Sequence, residues 1–183
     1  MTKLEHFNEC TSGPWENTKG FVTWKIVNGV MYFQCSSGLE DWSRNISVMP
    51  TITKIGIRYI FVPIGLDESW AEIKPVIRAN LCHTYVGYSL GGQLAALASA
   101  QTGSPAIAFG CPNFFMGDKR LFWNTEFITH KKDVFTKLPW IYRKGEITQT
   151  LTGDVVYPKE VGKIERMSGH SPKAYRQLLI GVV

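Results

Sequence analysis

The chain has no apolar run long enough to cross a bilayer, and Met1 to Cys10 lack the apolar core of a secretory leader, so the expectation is a cytoplasmic protein. Repeats, linkers and low-complexity tracts are also missing, and a length of 183 residues suits one domain, residues 1–183, with a sizeable core. Cysteine is sparse. Cys10, Cys35, Cys82 and Cys111 are too widely spread for a zinc site or a small disulfide framework, so free buried thiols are expected. Nothing resembles an aromatic-and-basic RNA platform, a zinc finger or a helix-turn-helix, which removes nucleic acid from the expected partners.

Charge is modest, with 19% charged against 44% hydrophobic residues, and its balance is uneven. Residues 1–110 hold eight basic and eight acidic side chains, whereas residues 111–183 hold twelve and seven, so the whole net charge of +5 lies in the carboxy-terminal part. Solvated surface lysine is the commonest source of such an excess. An anionic membrane surface or an anionic substrate is the functional alternative.

Phe21 to Val27 and Val30 to Gln34 read as two strands joined by Asn28-Gly29, the preferred chemistry of a tight type I′ hairpin. Ile55 to Val62 reads as one further strand, followed by a helix that Asp67 caps and in which Trp70, Ile73, Val76 and Ile77 share a face, with Pro75 ending or kinking it. Ala106 to Phe109 and Phe127 to Thr129 are short buried-strand candidates. Thr148 to Val156, with Gly153-Asp154, suggests a late hairpin, and Pro172 to Leu179 a terminal helix capped by Ser171. Alternating strands and helices through the middle imply an α/β fold with a parallel sheet.

The most informative segment is Tyr85-Val86-Gly87-Tyr88-Ser89-Leu90-Gly91-Gly92, with strand character from His83 to Val86 before it and a helical stretch from Leu90 to Gln101 after it. A serine at a sharp strand-to-helix turn has its hydroxyl pushed out of the sheet edge, and glycines two residues either side remove the side chains that would crowd the turn. Ser89 is therefore the candidate nucleophile. A serine hydroxyl is a poor nucleophile at neutral pH and requires a histidine base, usually held by a carboxylate.

Of the four histidines, His6 precedes the expected core, His83 lies on the strand entering the turn and His130 ends a strand. His170, in Ser168-Gly169-His170-Ser171-Pro172, is the best candidate base. On α/β-hydrolase folds the acid falls between serine and histidine, preferably in a loop after a strand. Asp133 fits, with Asp154 its main rival and Asp118, Glu126 and Glu146 also available.

Gly87-Tyr88-Ser89-Leu90-Gly91-Gly92, Ala108-Phe109-Gly110-Cys111-Pro112, Asp133 to Pro139 and His170 to Tyr175 occur in the order of corresponding blocks of the class 3 lipases, a family this chain resembles. Upstream, Tyr32 to Trp42 resembles that family's oxyanion block. The resemblance implies a compact α/β-hydrolase fold with a mostly parallel sheet and an amino-terminal antiparallel hairpin. It also implies oxyanion donors at Ser36 and Leu90, two preorganised groups each typically worth 10² to 10³ in rate.

Tyr88, Cys35, Gln34 and Cys111 depart from the family pattern, and none removes a triad member. Glu40 to Thr53 leaves little room for a mobile lid, which favours soluble short-acyl esters. Ile46, Val48, Met49, Ile52, Phe114, Phe115, Phe122, Trp123 and Trp140 are candidates for an acyl site, with core packing the alternative for each.

The implied activity is a serine carboxylic-ester hydrolase, lipase or esterase, whose partner is a small-molecule or lipid ester and whose chemistry requires neither metal nor organic cofactor. A phospholipase, thioesterase or acyltransferase would use the same triad. A catalytically silent binding module retaining the fold is the alternative from a different class.

Overall fold

The computed structural model describes residues 1–17, 22–34, 49–138, 142, 144–152 and 170–181. Helix α1 (Lys3–Cys10) is followed by strands β1 (Glu16–Asn17), β2 (Thr23–Val27) and β3 (Val30–Phe33). A hairpin of β4 (Pro50–Ile55) and β5 (Arg58–Pro63) leads into helix α2 (Ile64–Ala79), strand β6 (Thr84–Tyr88) and helix α3 (Leu90–Thr102). Strands β7 (Ala106–Phe109), β8 (Thr125–His130) and β9 (Ile147–Leu151) and helix α4 (Pro172–Ile180) complete the order, with short 3-10 turns at Lys119–Phe122 and Phe135–Lys137.

The main sheet has the order β1-β2-β3-β6-β7-β8-β9. Its first three strands are antiparallel, and β3, β6, β7, β8 and β9 run parallel. Asn28 and Gly29 have φ of 51° and 74°, the left-handed pair that a type I′ turn requires, so the hairpin reading of β2 and β3 holds.

Strand alternation sends side chains to two cores. Met31, Phe33 and Tyr85 face α2 and α3, packing with Leu66, Trp70, Ile73, Ile77 and Leu94. Val30, Tyr32, Val86, Tyr88, Phe109 and Ile128 face α1 and α4, packing with Phe7, Cys10, Tyr175 and Leu178. Helices on both faces of a mostly parallel sheet make the α/β architecture expected from the sequence.

Several local expectations are corrected. The run read as one strand from Ile55 to Val62 is the second half of a hairpin, because Gly56 takes φ +57° and reverses the chain between β4 and β5. Helix α2 starts at Ile64, so Asp67 lies in its first turn and favours the helix dipole without capping it, and the helix runs through Pro75. Thr148 to Leu151 pairs in parallel with β8, while Gly153 to Val156, the turn and return of the expected late hairpin, lie outside the described residues. Ser171 occupies the cap position of α4 without a side-chain cap bond.

The amino terminus belongs to the core and does not precede it. Thr2 and Glu5 form a reciprocal capping box that starts α1, a signature legible in the sequence but unread there. His6 is then held by the Tyr32 hydroxyl at 2.9 Å. Phe7 packs edge-on against Tyr88 and Phe109 and stacks on Tyr175.

Cys10, Cys82 and Cys111 are free buried thiols, as expected, and Cys35 lies outside the described residues. Among the described residues, no helix is long and apolar enough to cross a membrane. Phe7→Ala is expected to lower the unfolding free energy by about 3–5 kcal/mol in urea titrations, the range for a buried aromatic. A loss below about 1 kcal/mol would contradict the place of α1 in the core.

Candidate active site

Strand β6 and helix α3 meet at Ser89, which has φ 58° and ψ −120°, a strained conformation for a residue with a side chain. The turn is pinned by the Ser89 N–H donating to the Phe109 carbonyl at 2.9 Å. A Cβ at Gly87 would lie 2.0 Å from the Gly91 carbonyl oxygen, and one at Gly91 would lie 2.5 Å from that of Phe33. Both contacts are backbone to side chain with no flexible partner to yield, so glycine is demanded at each. The motif glycines let α3 start hard against the sheet and present the serine above it.

Asp133 follows β8 through a turn in which its N–H donates to the His130 carbonyl at 3.0 Å. Its own side chain closes the next turn: Oδ1 accepts from the Phe135 N–H at 3.0 Å, while the Thr136 hydroxyl donates to the Asp133 carbonyl at 2.8 Å. The carboxylate is fully buried. Its Oδ2 accepts from His170 Nδ1 at 2.7 Å and from the Tyr175 hydroxyl at 2.8 Å.

His170 enters just before α4. With Nδ1–H committed to an acceptor-only carboxylate, Nε2 is left as the acceptor for the Ser89 hydroxyl, 2.9 Å away. The ring packs against Tyr88, stacked at 5.1 Å, and Phe135, tilted at 5.1 Å. Ser89 and His170 are each 8% exposed, so the pair is shielded yet reachable.

Tyr175 locks this arrangement. Its hydroxyl donates to Asp133 and accepts from the His130 N–H at 3.0 Å. Burial, then the charge of Asp133, raises its pKa well above the usual value for tyrosine, so it stays a donor. The Lys144 ammonium donates to the Cys111 carbonyl at 3.0 Å and to that of Thr136, tying the end of β7 to the Asp133 loop. Burial lowers the Lys144 pKa, with Cys111 and Asp133 acting against that shift, and the Cys111 thiol is pushed up to about 12 by burial.

The structure thus brings Ser89, Asp133 and His170 together. Leu90 opens α3, whose first amides have no partner within the helix, while Ser36 and the expected lid region up to Val48 lie outside the described residues. The other acids go elsewhere: Asp118 pairs with Arg120, Glu126 with Lys3, and Glu146 is exposed. His83 binds the Asn28 carbonyl at the opposite end of β6.

Of the acyl-site candidates, Phe114, Phe115 and Phe122 form a buried aromatic cluster, so core packing accounts for them. Met49, Ile52 and Trp123 are exposed, and Ile46, Val48 and Trp140 lie outside the described residues. Sequence reasoning gave Tyr175 no role and missed Lys144.

No protein-family model and no curated protein matches the sequence. Solved structures do match its fold. Lip2 lipase from Yarrowia lipolytica superposes with a TM-score of 0.56 at 15% identity, covering 80% of this chain and 67% of that one. The mono- and diacylglycerol lipase from Aspergillus oryzae gives 0.53 at 20% identity, over 82% and 63% of the two chains. A Rhizomucor miehei lipase propeptide complex gives 0.51 at 16% identity, over 69% and 50%.

The fold is the α/β-hydrolase fold of the fungal class 3 lipases. The chain spans half to two thirds of the length of these lipases.

Tyr175→Phe leaves the His130 N–H and one Asp133 lone pair without their partner, so it is expected to cost about 1–3 kcal/mol at neutral pH. Because the folded-state pKa is raised, the folded chain keeps a proton that the unfolded chain releases above pH about 10. This stabilisation is complete below that pH and is lost as pH rises towards the folded pKa. Tyr32, pushed up to about 12 by burial, contributes to the same alkaline limb and remains in the variant. Urea titrations from pH 8 to 11.5 should show the gap between wild type and Tyr175→Phe narrowing above pH about 10; a constant gap would contradict a buried, protonated hydroxyl.

Proposed function

We propose that the protein is a carboxylic-ester hydrolase, a lipase or esterase, that works through an acyl-enzyme on Ser89. The observation that carries this reading is the unbroken chain of hydrogen bonds from Ser89 Oγ through the His170 imidazole to the Asp133 carboxylate. The shared lipase fold and the ordered sequence blocks support it, as they support membership of the class 3 lipase family.

In this mechanism His170 Nε2 takes the hydroxyl proton as Ser89 Oγ attacks the ester carbonyl, and Asp133 stabilises the imidazolium that forms. The negative charge on the carbonyl oxygen is received by the Leu90 N–H and, from the family resemblance, by Ser36. His170 then gives its proton to the departing alcohol. Water repeats the cycle on the acyl-enzyme, releasing the acid and restoring Ser89. The stacked Tyr88 face and the Phe135 ring keep the imidazole in one orientation.

Hydrolysis of chromogenic esters with acyl chains from two to sixteen carbons tests the proposal. Ser89→Ala and His170→Ala are each expected to reduce turnover by about 10⁴ to 10⁶, with the double variant no worse than either, because the residues act as one unit. The chain-length optimum separates esterase from lipase, and short acyl chains are expected to lead. Retained turnover in Ser89→Ala, or none in a folded wild type with any ester, would overturn the reading, the latter in favour of a silent binding module.

A further inference from the structure

Beside the Asp133 loop, at the carboxyl ends of β8 and β9, lies an open cleft of about 320 Å³. Its lining includes Lys131, Lys137 and Lys144, the hydroxyl residues Thr129 and Thr136, and His130 and Asn113, and no carboxylate among the described residues lines it. Thr129 stands opposite Thr150 in the parallel register, so the floor is polar backbone and hydroxyl as well.

We propose that this cleft is a binding site for a phosphate group. Three like charges around one cleft repel each other, and the triad carboxylate on the adjoining loop, Asp133, does not neutralise them: its oxygens are taken by His170, Tyr175 and the Phe135 amide. Lys144 is fixed in advance by the Cys111 and Thr136 carbonyls, so one cation is preorganised while Lys131 and Lys137 are exposed at the rim. Asn113 is likewise held, its side-chain amide donating to the Lys137 carbonyl at 2.9 Å.

Separate point donors arriving from several directions suit a tetrahedral oxyanion better than a planar carboxylate, for which the paired donors of arginine are the better match. The volume exceeds that of a bare phosphate and leaves room for the first atoms of an organic substituent. The shared chemistry is therefore a phosphate monoester or diester, presented either by a soluble molecule or by a lipid headgroup. The concentration of positive charge in residues 111–183 gives such a ligand a long-range attraction towards this part of the chain.

Inorganic phosphate is the probe. Calorimetric titration and thermal unfolding of the intact chain, at an ionic strength held constant with chloride, should show saturable binding at one site with a matching rise in Tm. Lys131→Ala/Lys137→Ala, at two rim positions outside the triad, should unfold at nearly the wild-type temperature without phosphate and bind it at least about tenfold more weakly. Ser89→Ala should bind phosphate as the wild type does, so the site stands or falls independently of the hydrolase reading.

Vesicles of phosphatidic acid, against phosphatidylcholine controls, then identify the source. Displacement of phosphate by the former alone points to a lipid headgroup, and its absence to a soluble phosphate; either outcome keeps the site. No saturable binding, or binding undiminished in the double variant, would overturn the proposal.

Discussion

Asp133 places a carboxylate where water does not reach, and much of the carboxy-terminal half is arranged to satisfy it. An ionised carboxyl taken out of water costs several kcal/mol unless it is paired and hydrogen-bonded. Here three donors meet it: the His170 ring, the Tyr175 hydroxyl and the Phe135 amide. Two of those donors come from residues about forty positions later in the chain, so satisfying one buried charge is what ties α4 to the end of β8. Lys144 adds a second tie by joining the same loop to the end of β7. The carboxylate is thus a folding constraint before it is a chemical group.

The other half of the site depends on close backbone approach. Gly87 and Gly91 let β6, α3 and β3 come together without side chains between them, and the strained Ser89 conformation is the result. The two halves meet because β6 and β8 flank β7 in one parallel sheet, with their carboxyl ends aligned. Tyr88 shows how the faces divide the labour. It sits on the α1 and α4 side, stacks beneath His170, and is itself backed by Phe7 from α1. The amino-terminal helix therefore supports the imidazole through one intervening ring.

What was legible in the sequence was legible for local reasons. The elbow announces itself because the glycines that relieve the turn lie within two residues of the serine. The type I′ hairpin at Asn28-Gly29 is similarly local, and chain order together with loop position pointed from Ser89 to His170 and, among several acids, to Asp133. Among the rival acids, Glu126 was separable only in three dimensions, being drawn to Lys3 more than a hundred residues away, whereas Asp118 is spent locally on Arg120 and Asp154 lies outside the described residues. Lys144 could not be read from spacing, because its partners Cys111 and Thr136 come from two different loops. Gly56 was a missed local signal, since a lone glycine between two β-branched runs marks a reversal as readily as a bulge. The capping box of Thr2 and Glu5 was another.

On the proposed reading, Ser89 is a nucleophile made reactive by His170. The most direct test of that reading is labelling with a fluorophosphonate, followed by mass-spectrometric mapping of the adduct, in folded wild type and in His170→Ala. One adduct is expected, on the peptide carrying Ser89, with its loss in His170→Ala although the serine itself is intact. An unlabelled wild type, an adduct on another residue, or undiminished labelling without His170 would contradict the reading.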